Sequence, residues 1–403
     1  MSVQLKKTDA EEAILAALTS AGANTAILDK GLPTRRVEQF HYTDLRSLIK
    51  AFPAASNSAD NQNTPFEKLI EGATIAFNNA EGSLAELPKG VTGALVQSPT
   101  PVPQNVEISA NIIGALNEAL VANGAALSVA PNSQIEQPII LEQNIASATS
   151  CNLRHSVNVG EGANAVIVEH HKSDDSENLQ NTVTNVTLDK GATATLVVFQ
   201  EHGLNTTRLA QLNVHLAQDS DITILMLNAG GKVVRQEVHI AVQGENSNIT
   251  MKGVNLVGDK AHIDVTTTMA HNVPNTTADE MFRNVVTGSG KGVFQGQIRV
   301  AQIAQKTDAK MACNTLLLSD DADFSSKPEL EIFADDVLCA HGATVTDIDE
   351  DHLFYLRARG ISEKIARNLL VKAFVEEVFE DLDLEALGES LNARIERWLD
   401  MNG

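Results

Sequence analysis

The sequence predicts a mainly β chain: a solenoid of short stacked strands, with a mixed, helix-containing region before it and a helical domain after it. Three observations carry this. A small turn followed by alternating small and β-branched residues recurs at 123–129, 162–168, 191–197, 219–225 and 245–250, the last four at steps of 29, 28 and 26 positions. Alternate side chains leave a strand on opposite faces, so one face of each unit fills a core. A period in the twenties to forties marks one unit stacked many times. Aromatic residues make up only 4% of a chain that is 43% hydrophobic, a balance suited to thin stacked layers. Beyond about residue 346 the apolar spacing becomes helical. A jelly roll or sandwich is also built of short strands; the near-constant turn spacing favours the solenoid.

Residues 1–105 form the mixed region. An amphipathic helix is expected over 9–18, with Ala13, Ile14, Ala17 and Leu18 on one side. The polar stretch 54–64 has no apolar periodicity and reads as a linker, and prolines 99, 101 and 103 block helix and mark a boundary. The core, 106–345, opens with a helix-like segment at 112–120 and continues as repeating strand units. In the last region, 346–403, Asp349 is a suitable N-cap for 350–359, Gly360 suits the left-handed position after it, and Ser362 caps the next helix. Ile365, Leu369, Leu370, Ala373, Phe374 and Val378 share one apolar face. Leu387, Leu391, Ile395 and Trp398 form a stripe on a last helix over 384–399.

Thirty Lys and Arg against 52 Asp and Glu give a formal charge of −22, which argues against a nucleic-acid or anionic-membrane surface. Three cysteines make no disulfide framework and suggest a reducing compartment. No apolar run approaches a membrane span, and the acidic N-terminus lacks the apolar core of a signal peptide. A cytoplasmic protein is expected.

Several motifs fail on their own chemistry. Gly288-Ser289-Gly290-Lys291-Gly292 resembles a phosphate loop, but Val285 stands where the first Gly of that motif belongs and Gly292 replaces the Mg²⁺-binding hydroxyl; a hairpin turn is expected. His170 and His171 are adjacent on a strand, so they point to opposite faces and cannot easily share an ion; a solvated loop edge is expected. Cys151 and His155 have no second pair to complete a metal site, so Cys151 reads as a buried small residue. No hydrolase or redox motif is present. A carbohydrate-active β-helix would need paired carboxylates on a solvent face, and Asp219 and Asp221 lie in a turn-like unit without flanking aromatics.

One cluster stands apart. Cys339 and His341, two residues apart, face the same side of a strand. A thiolate and an imidazole on one face make half of a soft-metal site. Cys313, 26 residues upstream, falls about one repeat away. The alternative is a well-packed final rung with a hydrogen-bonded histidine.

The segments KPELEIFADDV, CAHGATVTDIDEDHLFYLRARGIS, GGKVVRQEV, HNVPNTTADEMFRNVV and GKGVFQGQIRVAQIAQKTDA resemble the SufB/SufD family of iron–sulfur cluster assembly proteins. So do Arg35-Arg36-Val37-Glu38 and His41-Tyr42-Thr43-Asp44-Leu45, with Phe40 where the family usually has Trp. The C-x-H-G-A-T stretch followed by L-F-Y-L is similar to the SufD-like branch. The resemblance implies a right-handed parallel β-helix between helical ends, and a scaffold that is not itself an enzyme. That scaffold pairs with SufB through the β-helix and with the ATPase SufC through the C-terminal helices, and receives sulfur indirectly from a cysteine desulfurase. It implies a transient iron–sulfur cluster in the complex, held at an interface by His341 and Cys339 and shared with the partner, with no cofactor stably bound to the chain alone. Reduced flavin in the complex is an electron source suspected for the family. Cys313 matches a cysteine essential in SufB-like chains, which SufD-like chains do not generally need. The competing expectation is an architectural subunit that stabilises SufB, positions SufC and holds no ligand.

Two further expectations follow. The apolar stripe Leu370, Phe374, Val378, Leu391, Ile395 and Trp398 exceeds what a short hairpin buries, which points to an inner side that caps the solenoid and an outer side that docks the ATPase. An exposed β-helix edge should let the isolated chain pair with itself as a homodimer.

Overall fold

The computed structural model describes residues 6–55, 66–97, 111–379 and 385–402. Most of the linker expected at 54–64, and the proline run at 99–103, lie outside these residues. Nineteen strands occur among the described residues. They are β1 Ala73–Asn78, β2 Glu81–Leu84, β3 Val91–Leu95, β4 Ala125–Val129, β5 Ile139–Ile145, β6 Ser150–Val159, β7 Asn164–Ser173, β8 Asn178–Leu188, β9 Thr193–His202, β10 Thr206–Leu216, β11 Asp221–Gly230, β12 Val233–Val242, β13 Asn248–Val257, β14 His262–His271, β15 Thr277–Val286, β16 Lys291–Val300, β17 Asp308–Leu317, β18 Asp323–Ile332 and β19 Leu338–Thr346.

Odd-numbered strands from β5 onward, with β1 and β2, form one sheet; even-numbered strands with β3 form the other. Neighbours are parallel throughout, except where β2 meets β1 and β3 meets β4. The chain is therefore a parallel β-solenoid, as expected, with two strands per turn. The recurring units seen in the sequence are the starts of β4, β7, β9, β11 and β13. Most strands between them, β8, β10 and β12 among them, lack the Gly-Ala turn and so escaped the repeat.

The turn chemistry explains the period. Asn132, Gly162, Gly191, Asp219, Asn246, Asn275 and Lys306 all have left-handed backbones, with φ of 58–65°, and one falls at the same corner of each turn. Gly, Asn and Asp tolerate that conformation; Lys306 is the strained exception. Amides stack rung on rung there: Gly162 N donates to Lys190 O at 3.0 Å and Gly191 N to Gln218 O at 2.9 Å. Gly288, with φ 63°, sits in the turn between β15 and β16. Those strands lie in different sheets, so the Gly-rich segment is a solenoid corner, not the hairpin expected.

The core lies between the sheets and is filled by the inward positions of both, from Ile75 and Phe77 to Met311 and Cys313. Helices cover the outer faces. The segment α1 Asp9–Ser20 begins with a capping box, Thr8 and Glu11 bonding each other's backbone amides, and α2 Leu45–Leu48 is N-capped by Asp44. With α3 Ile112–Leu120, these pack on the even sheet. Asn117 Nδ2 donates to Leu153 O at 2.9 Å and to Asn181 O at 3.0 Å.

On the other side, α4 Glu350–Ala358, α5 Glu363–Glu376 and α6 Glu385–Asn402 pack over the odd sheet, against Val197, Phe199, Leu225, Leu227, Val254 and Leu256. They lie along the face of the solenoid and leave its end open. Asp349 caps α4 through its carboxylate and Gly360 is left-handed, as expected, but Ser362 makes no side-chain cap bond. No described helix is long and apolar enough to cross a membrane.

Candidate functional site at the open end of the solenoid

The two ends of the solenoid differ. At the first turn the edges are the short β2 and β3, both antiparallel to their neighbours. At the last turn, among the described residues, β18 pairs only with β16 and β19 only with β17, in full parallel register. Each end strand so presents one unpaired row of backbone donors and acceptors. Large apolar side chains lie bare beside them: Leu338 is 71% exposed and Phe333 60%, with Ile332 and Val345 exposed as well.

Cys339 and His341 lie on β19 in this last turn. In register they stand over Ala309 and Met311 of β17, both buried in the inner core. Both therefore occupy the inward parity of β19, where they stack on the end of the core rather than on the outer wall. Cys339 packs against that core and is half-buried, while His341 is exposed. Burial pushes the Cys339 thiol up, partly offset by the Ala309 backbone, so it is protonated near neutrality.

Cys313 is on β17, the adjoining rung, opposite Ala343 and so two positions along from the residue beneath His341. It is fully buried, and Asn284 Nδ2 donates to its Sγ at 3.3 Å. Burial drives its thiol up to about 12. Asn284 ends an amide ladder along the inside of the odd sheet. Asn228 Nδ2 donates to Asn255 Oδ1 at 2.6 Å, and Asn255 Nδ2 to Asn284 Oδ1 at 2.7 Å. Among the described residues no three His, Cys, Asp or Glu side chains converge on one point; the end of the solenoid offers ligands along a strand, not a closed cage.

The stripe expected to dock a partner is turned inward. Val378, Leu391, Ile395 and Trp398 are buried, and Leu370 and Phe374 are half-buried against the odd sheet. The buried face of α5 is Ala366, Val371 and Val375, rotated by about one residue from the expected face. Ile365 and Leu369 point outward at 56% and 45% exposure, and α4 adds Phe354 at 73% and Tyr355 at 56%.

Of the remaining motifs, Cys151 is buried, as expected, and donates to Asn79 O at 2.9 Å. His170 and His171 do face opposite ways, but both are buried, not at a solvated edge. His170 stacks on Phe199 and bonds Glu201 beneath α6, and His171 bonds Gln143 and Glu169 inside the solenoid.

The N-terminal motif proves to be a clip on the even sheet. Arg235 lies 4.6 Å from the Phe40 ring and donates to Gln39 O at 2.9 Å. Thr43 bonds His262 and Asp264, and Lys327 of the open strand β18 bonds Glu38. Sequence reasoning missed the buried partners. Arg235, Asp264 and Glu237 are spread over two strands, and only the register unites them.

A family model described as the SufBD core domain of the SUF system for iron–sulfur cluster assembly matches residues 141–374. The iron-sulfur cluster assembly protein SufD of Escherichia coli is 30% identical, the match covering 92% of this chain and 90% of that protein. Protein ABCI7, chloroplastic, of Arabidopsis thaliana is 27% identical over 88% of this chain and 80% of its own. A SufBD family protein of Synechocystis is 26% identical, with 88% and 85% covered.

Proposed function

The chain belongs to the SufB/SufD family of iron–sulfur cluster assembly proteins, and from that premise we propose that it is a scaffold subunit, without ATPase activity of its own, in a cytoplasmic SufBCD complex. The observation that carries this reading is the asymmetry of the solenoid. One end is finished by short antiparallel strands; the other leaves β18 and β19 open, with Cys339 and His341 on the inward face of the last rung. A strand pair of the same architecture, such as the last rung of SufB, is the natural complement to that edge.

In this reading SufB pairs along β18 and β19, and a nascent cluster, built with sulfur from a cysteine desulfurase, is held transiently between the two chains. His341 contributes an exposed nitrogen and Cys339 a thiol that must lose its proton to bind iron. The isolated chain holds no stable cluster, and reduced flavin acts in the full complex. SufC docks on the outward surface of α4 and α5, where Phe354, Tyr355, Ile365 and Leu369 are bare.

The architectural reading has one observation in its favour: the Cys339 thiol is raised by burial, whereas a ready ligand would be depressed. Replacing His341 by Ala in the assembled complex separates the two. Loss of cluster formation, read by visible absorption and iron content, with SufB and SufC still co-purifying, supports a ligand role. Unchanged cluster yield supports pure architecture.

A further inference from the structure

Six side chains in the N-terminal half of the solenoid interior carry polar atoms with no hydrogen-bond partner: Glu169 on β7, Gln180 and Thr184 on β8, Gln200 and His202 on β9, and Arg208 on β10. All are at most 6% exposed. They occupy the same parity as Ile167, Val186, Val198 and Leu212, which line the inner core, so they point into the space between the sheets. Native interiors do not leave so many polar atoms dry, because each costs free energy comparable to a lost hydrogen bond.

Arg208 is the centre of the group. Buried Arg235 is paired with Asp264 and Glu237, whereas Arg208 has no carboxylate within ion-pairing distance among the described residues. Its Nη1 donates to Thr182 Oγ1 at 3.5 Å and its Nε has no partner. A buried guanidinium needs a compensating group. Glu169 supplies a negative charge near enough to act on the Arg208 guanidinium. One of its oxygens is held by His171 at 3.0 Å and the other is unpaired.

The balance of donors and acceptors identifies the ligand. Glu169 Oε1, Gln180 Oε1 and Gln200 Oε1 accept; Arg208 Nε and Gln200 Nε2 donate; the Thr184 hydroxyl does either. His202 enters neutral, because burial and the Arg208 charge hold it well below the usual imidazole value. Its Nδ1 bonds Ser173 Oγ at 3.0 Å and faces Gln180 Nε2 at 3.5 Å, so its Nε2 donates in one neutral tautomer and accepts in the other. An anion accepts only: it would satisfy Arg208, leave three acceptors unpaired and stand beside the Glu169 carboxylate. Water donates and accepts.

We infer that the solenoid interior between β7 and β10 is a closed binding site for a cluster of ordered waters, through which Arg208 and Glu169 form a water-bridged ion pair. The site stands apart from Cys339 and His341 and does not depend on the assembly role.

A high-resolution crystal structure of the full chain, with a second crystal soaked in bromide, tests this directly. Ordered waters bonded to Arg208 Nε, Glu169 Oε1 and the Gln200 amide are expected, with no bromide signal in the chamber. A direct Arg208–Glu169 contact, or bromide against Arg208, overturns it. Urea unfolding of Arg208→Met adds a test of sign. A bridged pair predicts a lower midpoint, because Glu169 loses its counter-charge. A higher midpoint would mean that Arg208 is merely an uncompensated charge, and sinks the inference. If the variant does not fold, the crystallographic outcome on the natural chain decides.

Discussion

At the scale of single residues, the interior is more polar than a solenoid needs. Glu280 on β15 is the clearest case: burial pushes its carboxyl up to about 8, only partly offset by the Thr267 hydroxyl. The unfolded chain titrates this group near 4.5. A raised folded value means that its contribution to stability is full below pH 4.5, declines as pH rises to about 8, and is gone above that. The linkage amounts to roughly 5 kcal/mol at most. Glu280→Gln should therefore match the natural chain in urea at pH 4 and exceed it at pH 8.5; parallel curves across that range would show that the carboxyl is hydrated or paired. The sequence concealed this group. Period two correctly put Cys339 and His341 on one face and Cys313 on the adjoining rung. Polar positions on a strand ordinarily face water, so nothing in the residue types of Glu280, Arg208 and His171 points to the core. Only the two-sheet register shows that their parity is the core's.

At the scale of elements, helix positions were legible and helix faces less so. Asp349 and Gly360 marked boundaries through capping chemistry that needs no tertiary information. The face of α5 was not fixed by its own residues, because Ile365, Leu369, Leu370, Val371, Phe374 and Val375 surround the helix. Packing over Val254 and Val285 of the odd sheet selects the side with Val371 and Val375. The two sides should therefore respond differently to substitution. Ile365→Glu with Leu369→Glu, on the outward side, should abolish SufC binding in pull-downs and leave the melting temperature nearly unchanged. Leu391→Ala or Val375→Ala should cost about 2–4 kcal/mol of stability by leaving a cavity. Removing everything after residue 360 would confound the two, since it bares Phe199, Leu225 and Leu256. If the paired Glu substitutions leave SufC binding intact, the docking surface lies elsewhere.

At the scale of the molecule, the governing feature is that a stacked fold must end. The first turn ends in β2, four residues long and antiparallel, which is a standard way of blunting an edge. The last turn uses no such device. β18 and β19 are ten and nine residues long, the side chains of β19 are largely exposed and those of β18 mostly half-buried, and the C-terminal helices that could have covered them lie along the odd sheet instead. Lys327 is held by Glu38 and Glu329, so the N-terminal clip steadies β18 without shielding its backbone. An edge left open and held straight is built to be paired. Without its partner the chain should pair with itself, and sedimentation at micromolar concentration should find a homodimer. Charges placed at inward positions of the two edge strands, Ile332→Lys with Val345→Lys, should yield a monomer with an unchanged far-ultraviolet spectrum, because lysines there repel a second copy without touching the completed turns below. Adding SufB should likewise dissolve the homodimer of the natural chain, since both pairings claim the same edge. A homodimer that persists through the lysine substitutions, or that binds SufB while remaining dimeric, would place self-association on another surface and separate it from the assembly role.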